Sequence, residues 1–328
     1  MLHTSGSIIC VGLCCLDLVS KVDQFPMEDT DSRANISWQL GGNAAHNAIV
    51  LAALESKPVY FAGTMPSENS FNGNFIRSIF AKHSIDTSLS QSVQGDACPV
   101  SMVIVNTEIG SRTILHDRGD LPEFSFDQLR DRDFASADVG WIHFEGRRNV
   151  SEIAAMLSHI RALNQRAAFT SSASVAMRIR TSVELEKCRP ELTSLLGNCD
   201  VIFLSKEFAS FHGAADKVAA VRMFLERVDV GATVICAWGE LGCAGAVRSG
   251  GGHGSDIISV PAAAPDGPVV DTLGAGDSFV AACLHGLRAG RSLAEALRLA
   301  AAVAGAKCAR ADGFSRVADW AGRAAELS

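Results

Sequence analysis

The sequence contains no apolar run of about 18 residues, the length a membrane-spanning helix needs. It has no Cys-x-x-Cys pair and no Cys/His spacing of a zinc module, although there are ten cysteines, Cys14 and Cys15 adjacent among them. Buried, reduced thiols in a cytoplasmic protein are therefore the expectation. An excess of positive charge is missing too. The formal net charge of -7 and a pI near 5.7 argue against a chain built to hold the phosphate backbone of nucleic acid. The N-terminal stretch "MLHTSGSIICVGLCCLDLVS" has no basic leader and carries Asp17, so it reads as a buried strand, not a signal peptide. His143 and Glu145 form a His-x-Glu in "WIHFEG", but the Pro-Cys-x-x-Cys that completes a zinc deaminase does not occur. Neither G-x-x-x-x-G-K-[ST] nor the protein-kinase pair H-R-D and D-F-G is present, which removes two common designs for handling nucleotide phosphates.

What is present is 328 residues with 48% hydrophobic content, enough for a substantial core in one large or two unequal domains. Short apolar or β-branched runs recur at 7–13, 59–63, 99–105, 139–146, 200–205 and 232–239, with helical patterns between most of them. That alternation implies crossover units, hence an α/β fold whose parallel sheet carries helices on both faces. Residues 17–40 and 98–118 break the alternation with short strands and polar turns, including a hairpin around Glu108-Ile109-Gly110. They predict a second, small sheet, a lid over the carboxyl ends of the main strands, where this architecture binds ligands. The segment 170–182 is small, polar and aperiodic and predicts a mobile loop; "RSGGGHGS" at 248–255 predicts a flexible hairpin turn. In "VELEK", Glu184, Glu186 and Lys187 alternate as on a strand with one solvated face.

Two stretches have the residue types for chemistry. In "GGNAAHNAIVLAAL" (41–54) two glycines precede a helix, and Ala44, Ala45 and Ala48 leave room for backbone and ligand to approach closely. Asn43 and His46 share one face of its first turn and are polar where a packing helix would take apolar residues. With Asp17 after the first strand-like run and Asp29 in "PMEDTDSR", they form a set suited to a polyhydroxylated ligand, whose unpaired partners cost roughly 1–3 kcal/mol each. A tight turn into a packed helix and two solvated turn acids are the plainer alternatives. In "DTLGAGDSF" (271–279) the glycines are poor helix starters, yet "VAACLHGLRAG" follows as a helix. A helix beginning there points bare N–H groups outward and makes an anion site. Asp277 is then either a first-turn acid that favours the helix dipole, or a base that takes the proton of an attacking hydroxyl while the amides stabilise a transferring phosphoryl group. Ser292 and Glu295 form a capping box for a further helix.

In order and spacing, the two stretches resemble the signatures of the ribokinase-like carbohydrate kinases, the PfkB family. The segments "ICVGLCCLDLVSKVDQFPMED", "GSRTILHDRGDLP", "WIHFEGR", "VIFLSKE" and "VICAWGELG" extend the resemblance over nearly the whole chain and are most similar to its ketohexose-phosphorylating branch. The resemblance implies a single three-layer α/β/α domain over 1–328, with a mainly parallel sheet and a β-sheet lid. It also implies ATP-dependent phosphorylation of fructose at the 1-hydroxyl. Asp277 would be the general base and Gly274, Ala275 and Gly276 the anion hole. Asp17, Asp29, Gly42, Asn43 and His46 would hold the sugar, and Arg112 with the turn Gly239, Glu240, Leu241 and Gly242 would meet the nucleotide. Mg2+, K+ and a homodimer formed through the lid sheets are further implications. The chain departs from the pattern twice. His46 stands where the family has Asn, and "LSKEF" lacks the N-x-x-E that many relatives use near magnesium, which leaves Glu207 to act through water. Another sugar or nucleoside kinase of the family, and a non-catalytic sugar-binding protein on the same fold, are the alternative readings.

Overall fold

The computed structural model describes residues 6–95, 97–109, 111–134, 137–170, 178–250, 256–310 and 313–326. The chain opens with Ser7–Val11 (β1), Cys15–Val22 (β2) and Asn35–Gly41 (β3), which lead into helix Asn43–Leu54 (α1). Val59–Ala62 (β4), Thr64–Met65 (β5), helix Phe71–Lys82 (α2), Gln91–Ser92 (β6), Val100–Asn106 (β7) and Arg112–Asp117 (β8) follow. Helix Phe126–Arg130 (α3), Val139–Glu145 (β9), helix Val150–Thr170 (α4), Arg180–Leu185 (β10) and Val201–Leu204 (β11) come next. Helices Lys206–Phe211 (α5) and Lys217–Leu225 (α6) precede Thr233–Ala237 (β12), Cys243–Val247 (β13) and Ile258–Val260 (β14). Helices Ala275–Arg288 (α7), Leu293–Cys308 (α8) and Val317–Glu326 (α9) complete it.

The main sheet has the order β14-β13-β12-β11-β10-β9-β1-β4. Pairing is parallel from β12 to β4, and β13 and β14 extend it antiparallel. Strands β1, β11 and β12 near its centre are largely apolar because both faces are covered. Successive side chains point to opposite faces, so one strand feeds two cores: Ile8 and Cys10 of β1 join α1, α7, α8 and α9, while Ile9 and Val11 join α4, α5 and α6. This is the expected three-layer α/β/α arrangement. The segments around 17–40 and 98–118 supply a separate sheet, β3-β2-β7-β8. The capping box of α8 is formed, with Ser292 N donating to Glu295 Oε2 at 2.8 Å.

Two expectations from the sequence are corrected by β10. Residues 180–182, read as part of a mobile loop, begin a buried central strand between β9 and β11, and Glu184, read onto a solvated face, is buried on it. The polar residues that hid the strand are partnered. Trp141 Nε1 donates to Ser182 Oγ at 2.9 Å, the same hydroxyl lies 2.8 Å from His143 Nδ1, and the Arg180 guanidinium sits 4.4 Å from the centre of the Trp141 ring. Burial pushes the His143 imidazole down to about 3, so it is neutral. The hairpin tip at Gly110, residues 171–177 and residues 251–255 of the glycine-rich turn lie outside the described residues. Among the described residues no helix is long and apolar enough to cross a membrane, and all ten cysteines are free thiols.

Candidate active site

The N-terminus of α1 is built by glycines that have no alternative. Gly42 has φ 104°, and a Cβ there would lie 2.2 Å from the Leu13 carbonyl oxygen. A Cβ on Gly41 would lie 2.3 Å from Asp17 Oδ1, so the bare backbone lets that carboxylate lie against the turn. No side chain of the cap residue serves α1. Glu145, the last residue of β9, does so from across the site, accepting from Ala44 N at 3.3 Å and Leu13 N at 3.0 Å. Ala44, Ala45 and Ala48 are wholly buried. They bring the helix close to its neighbours and not to a ligand, contrary to expectation, because α1 is covered by the sheet, α7 and α9.

At the start of α7, Gly274 has φ 77°, where a Cβ would meet the Phe314 ring at 2.5 Å. The Ala275 amide is spent on the turn, donating to Thr272 O at 3.2 Å. The N–H groups of Gly274, Gly276 and Asp277 have no partner among the described residues, and a Cβ on Gly276 would meet nothing within 4 Å. Open space therefore faces bare amides at a helix N-terminus. The turn is anchored from below by Asp271. Its Oδ1 accepts from Leu273 N at 2.9 Å, and its Oδ2 lies 3.3 Å from Nζ of Lys307, a lysine with no exposed side-chain surface. Sequence reasoning missed Lys307, since a lysine inside the small-residue helix α8 looks like an ordinary surface cation.

The two helix starts meet side chain to side chain. His46 Nδ1 lies 2.6 Å from Asp277 Oδ2, His46 Nε2 lies 2.7 Å from Leu40 O, and Asn47 Nδ2 donates to Asp277 O at 2.9 Å. Both ring nitrogens of His46 are thus engaged within the protein, and neither is left for a sugar hydroxyl while these bonds stand. Phe314 covers the imidazole, with ring centres 4.5 Å apart. Burial raises the Asp277 carboxyl above the usual carboxylate range, and the His46 bond only partly offsets this. Burial opposes charge on His46, but the Asp277 bond and charge, with Asp17, outweigh it and hold the imidazole above its ordinary value. Glu184, at the end of β10, is pushed well above the usual range by burial and by Asp277, Glu186 and Glu145.

Other expected site residues arrive from several elements. Asp17 is buried on β2, opposite Gln39 of β3 and Ser101 of β7, and Ser101 pairs in turn with His116 of β8. Asn43 Nδ2 donates to Glu186 Oε2 at 2.8 Å. Arg112 reaches from β8 to donate to Thr272 Oγ1 at 2.7 Å, beside the bare amides. Gly239, Glu240, Leu241 and Gly242 form a turn after β12 in which both glycines have positive φ and Leu241 is exposed. Glu207 is exposed in the first turn of α5, just after β11. Asp29 is not brought in: it is exposed in the β2–β3 connection at φ 58° and makes no hydrogen bond with Asp17, Asn43 or Asp277.

A carboxylate beside bare helix-terminal amides suits proton removal coupled to transfer of an anionic group. Residues 5–315 match the family described as pfkB family carbohydrate kinase. Ketohexokinase from Mus musculus is 39% identical over 306 residues, covering 92% of this chain and 95% of the mouse protein. The fold is shared with ribokinase from Giardia lamblia at TM-score 0.80 and 17% identity, over 98% of this chain and 99% of that one. It is shared with Arabidopsis thaliana ribokinase, solved with ribose and ATP, at TM-score 0.73 and 19% identity over 98% and 99% of the two chains. The chain belongs to the pfkB family and is a carbohydrate kinase.

Proposed function

We propose that this kinase transfers the γ-phosphoryl group of ATP to the 1-hydroxyl of fructose, with Asp277 as general base. The observation that carries the reading is a buried carboxylate in the first turn of α7, beside N–H groups of Gly274, Gly276 and Asp277 that lack partners among the described residues. The hydroxyl proton passes to Asp277 Oδ1, the sugar oxygen bonds to the γ-phosphorus, the bond to the β–γ bridging oxygen breaks, and ADP leaves. His46 occupies Oδ2, and Oδ1, which has no hydrogen-bond partner among the described residues, takes this proton. The bare amides stabilise the charge on the moving group, and alignment supplies most of the remainder. Ala275 contributes to the anion hole by shaping the turn, since its own amide is engaged.

The sugar lies between the polar row Gln39-Asp17-Ser101 of the lid and the Gly42–Asn43 turn. Asp29, exposed in the β2–β3 connection, is included among the sugar contacts by family resemblance alone. Arg112 meets the phosphates from its position on Thr272, and the Gly239–Gly242 turn with exposed Leu241 receives the base. No group of three or more His, Cys, Asp or Glu side chains suited to a metal occurs among the described residues. That fits Mg2+ carried in on ATP phosphates, which needs only one or two carboxylates besides water. Glu207 would hold it through water, and the ion would neutralise charge shared by the β- and γ-phosphates. Potassium is included as an activator by family resemblance.

The 39% identity to mouse ketohexokinase supports fructose. A coupled ADP-release assay with Mg·ATP and K+, run on fructose, tagatose, ribose and adenosine, should give the highest kcat/KM for fructose, with fructose 1-phosphate as product. Higher kcat/KM on ribose or adenosine would overturn this choice.

We also propose a homodimer through the lid. Trp38, Leu18, Met102 and Leu115 form a cross-strand apolar row on it, with Trp38 47%, Met102 43% and Leu115 59% exposed. Sedimentation equilibrium should give twice the chain mass, and Met102→Lys should give the monomer; a monomer at micromolar concentration of the unaltered chain contradicts the proposal. The unpaired thiols fit a reducing compartment such as the cytoplasm.

A further inference from the structure

The contact between His46 and Asp277 leads to an inference that rests on Asp277 being the base and goes beyond it. A carbonyl oxygen only accepts, so the 2.7 Å bond to Leu40 O requires a proton on His46 Nε2. The 2.6 Å approach of Nδ1 to Asp277 Oδ2 requires a second proton between them, because an unprotonated ring nitrogen and an ionised carboxylate would face each other lone pair to lone pair. We propose that His46 is held as an imidazolium between Leu40 and Asp277 and serves as a positioning residue, keeping the catalytic carboxylate ionised and leaving its Oδ1 for the substrate hydroxyl. The asparagine of the family signature could hold the same oxygen but could carry no charge there.

The surroundings favour the imidazolium. Among the described residues, the ionisable groups that act on the pair are Asp17 from β2, Glu145 from β9, Glu184 from β10 and Glu186 just beyond it, all acids. Lys307 of α8 is the exception. Its Nζ lies 5.7 Å from the centre of the Phe314 ring that also covers His46, and it is paired with Asp271. Asn47, the other α1 residue holding Asp277, is uncharged and bonds the main chain. The buried pair is thus neutral overall in its working state, which spares the enzyme an isolated buried carboxylate.

The pair titrates as a unit. A second proton, added as the pH falls, neutralises Asp277 and stops proton abstraction. Loss of the shared proton, as the pH rises, sets lone pair against lone pair and turns the carboxylate away from the hydroxyl. The kcat/KM profile of the unaltered enzyme should therefore fall on both sides. In His46→Asn the alkaline limb should vanish, and the acid limb should move to higher pH, because no neighbouring cation then favours ionised Asp277. Profiles that superimpose overturn the proposal.

A measurement that needs no substrate and no turnover keeps the inference separate from the assigned function. In the unaltered, 15N-labelled protein, long-range imidazole spectra should show one histidine with both ring nitrogens protonated well above the pH at which exposed imidazoles deprotonate. Its assignment comes from its loss in His46→Asn or its displacement in Asp277→Asn. An unprotonated Nδ1 on His46 at neutral pH overturns the proposal even if Asp277 proves essential. Full turnover by Asp277→Asn would instead remove the assigned mechanism while leaving the protonation result standing.

Discussion

Asp277→Asn should lower kcat for sugar phosphorylation by about 10²–10⁴-fold, the usual contribution of a positioned base. The change keeps the size and shape of the side chain but removes the group that takes the proton. Folding should survive it. The amide NH2 can donate to Nδ1 of a neutral His46, whose Nε2 still donates to Leu40 O at 2.7 Å, and Asn47 still holds the main chain of residue 277. The bare N–H groups of Gly274 and Gly276 are untouched, so the loss belongs in kcat and ATP binding should change little. Steady-state kinetics with fructose and ATP varied in turn, beside a thermal unfolding curve, separates these effects. Retention of most of the turnover would falsify the assignment of Asp277 as base.

Lys307→Met should destabilise the fold by about 3–5 kcal/mol, the usual consequence of removing one partner from a buried ion pair. Lys307 has no exposed side-chain surface and Asp271 is buried with it, so solvent cannot replace the lost cation. Methionine fills most of the space but leaves the Asp271 carboxylate without its partner, although that carboxylate still accepts from Leu273 N. Burial already holds Lys307 below the usual lysine range, against the pull of Asp271, so its ammonium depends on that neighbouring carboxylate. Chemical denaturation should show the lost stability. Because Asp271 shapes the turn that leads to Gly274, KM for ATP should also rise. Restoring neutrality with Asp271→Asn in the same protein should recover most of the stability, since a pair removed whole leaves no unpaired charge. An unchanged unfolding midpoint for Lys307→Met would contradict this account.

Much of the fold was legible from local pattern. The runs at 7–13, 139–146, 200–205 and 232–239 became β1, β9, β11 and β12, because strands covered on both faces are mostly apolar. β10 was not legible, because Arg180, Thr181 and Ser182 read as loop until Trp141 and His143 supply the partners that permit burial. Glu145 was visible only as half of a zinc signature. Its work at the start of α1 depends on the neighbouring ends of β9 and β1, which lie far apart in sequence.

The candidate site divides in the same way. The sequence by itself determined that glycines and an aspartate begin α7, that another glycine pair begins α1, and that the order of the two stretches matches one family of kinases. Backbone freedom and bare amides are local properties, so they can be read from a few adjacent residues. Only the tertiary structure decided what His46 touches. As a residue on a polar helix face it looked ready for a sugar hydroxyl, yet residues 231 positions apart come together and join its Nδ1 to Asp277. Lys307, 36 residues from Asp271, is the second case. A buried charge takes its meaning from its partner, and which groups become partners is set by how the elements pack, because only burial makes an unpaired charge costly enough to require one.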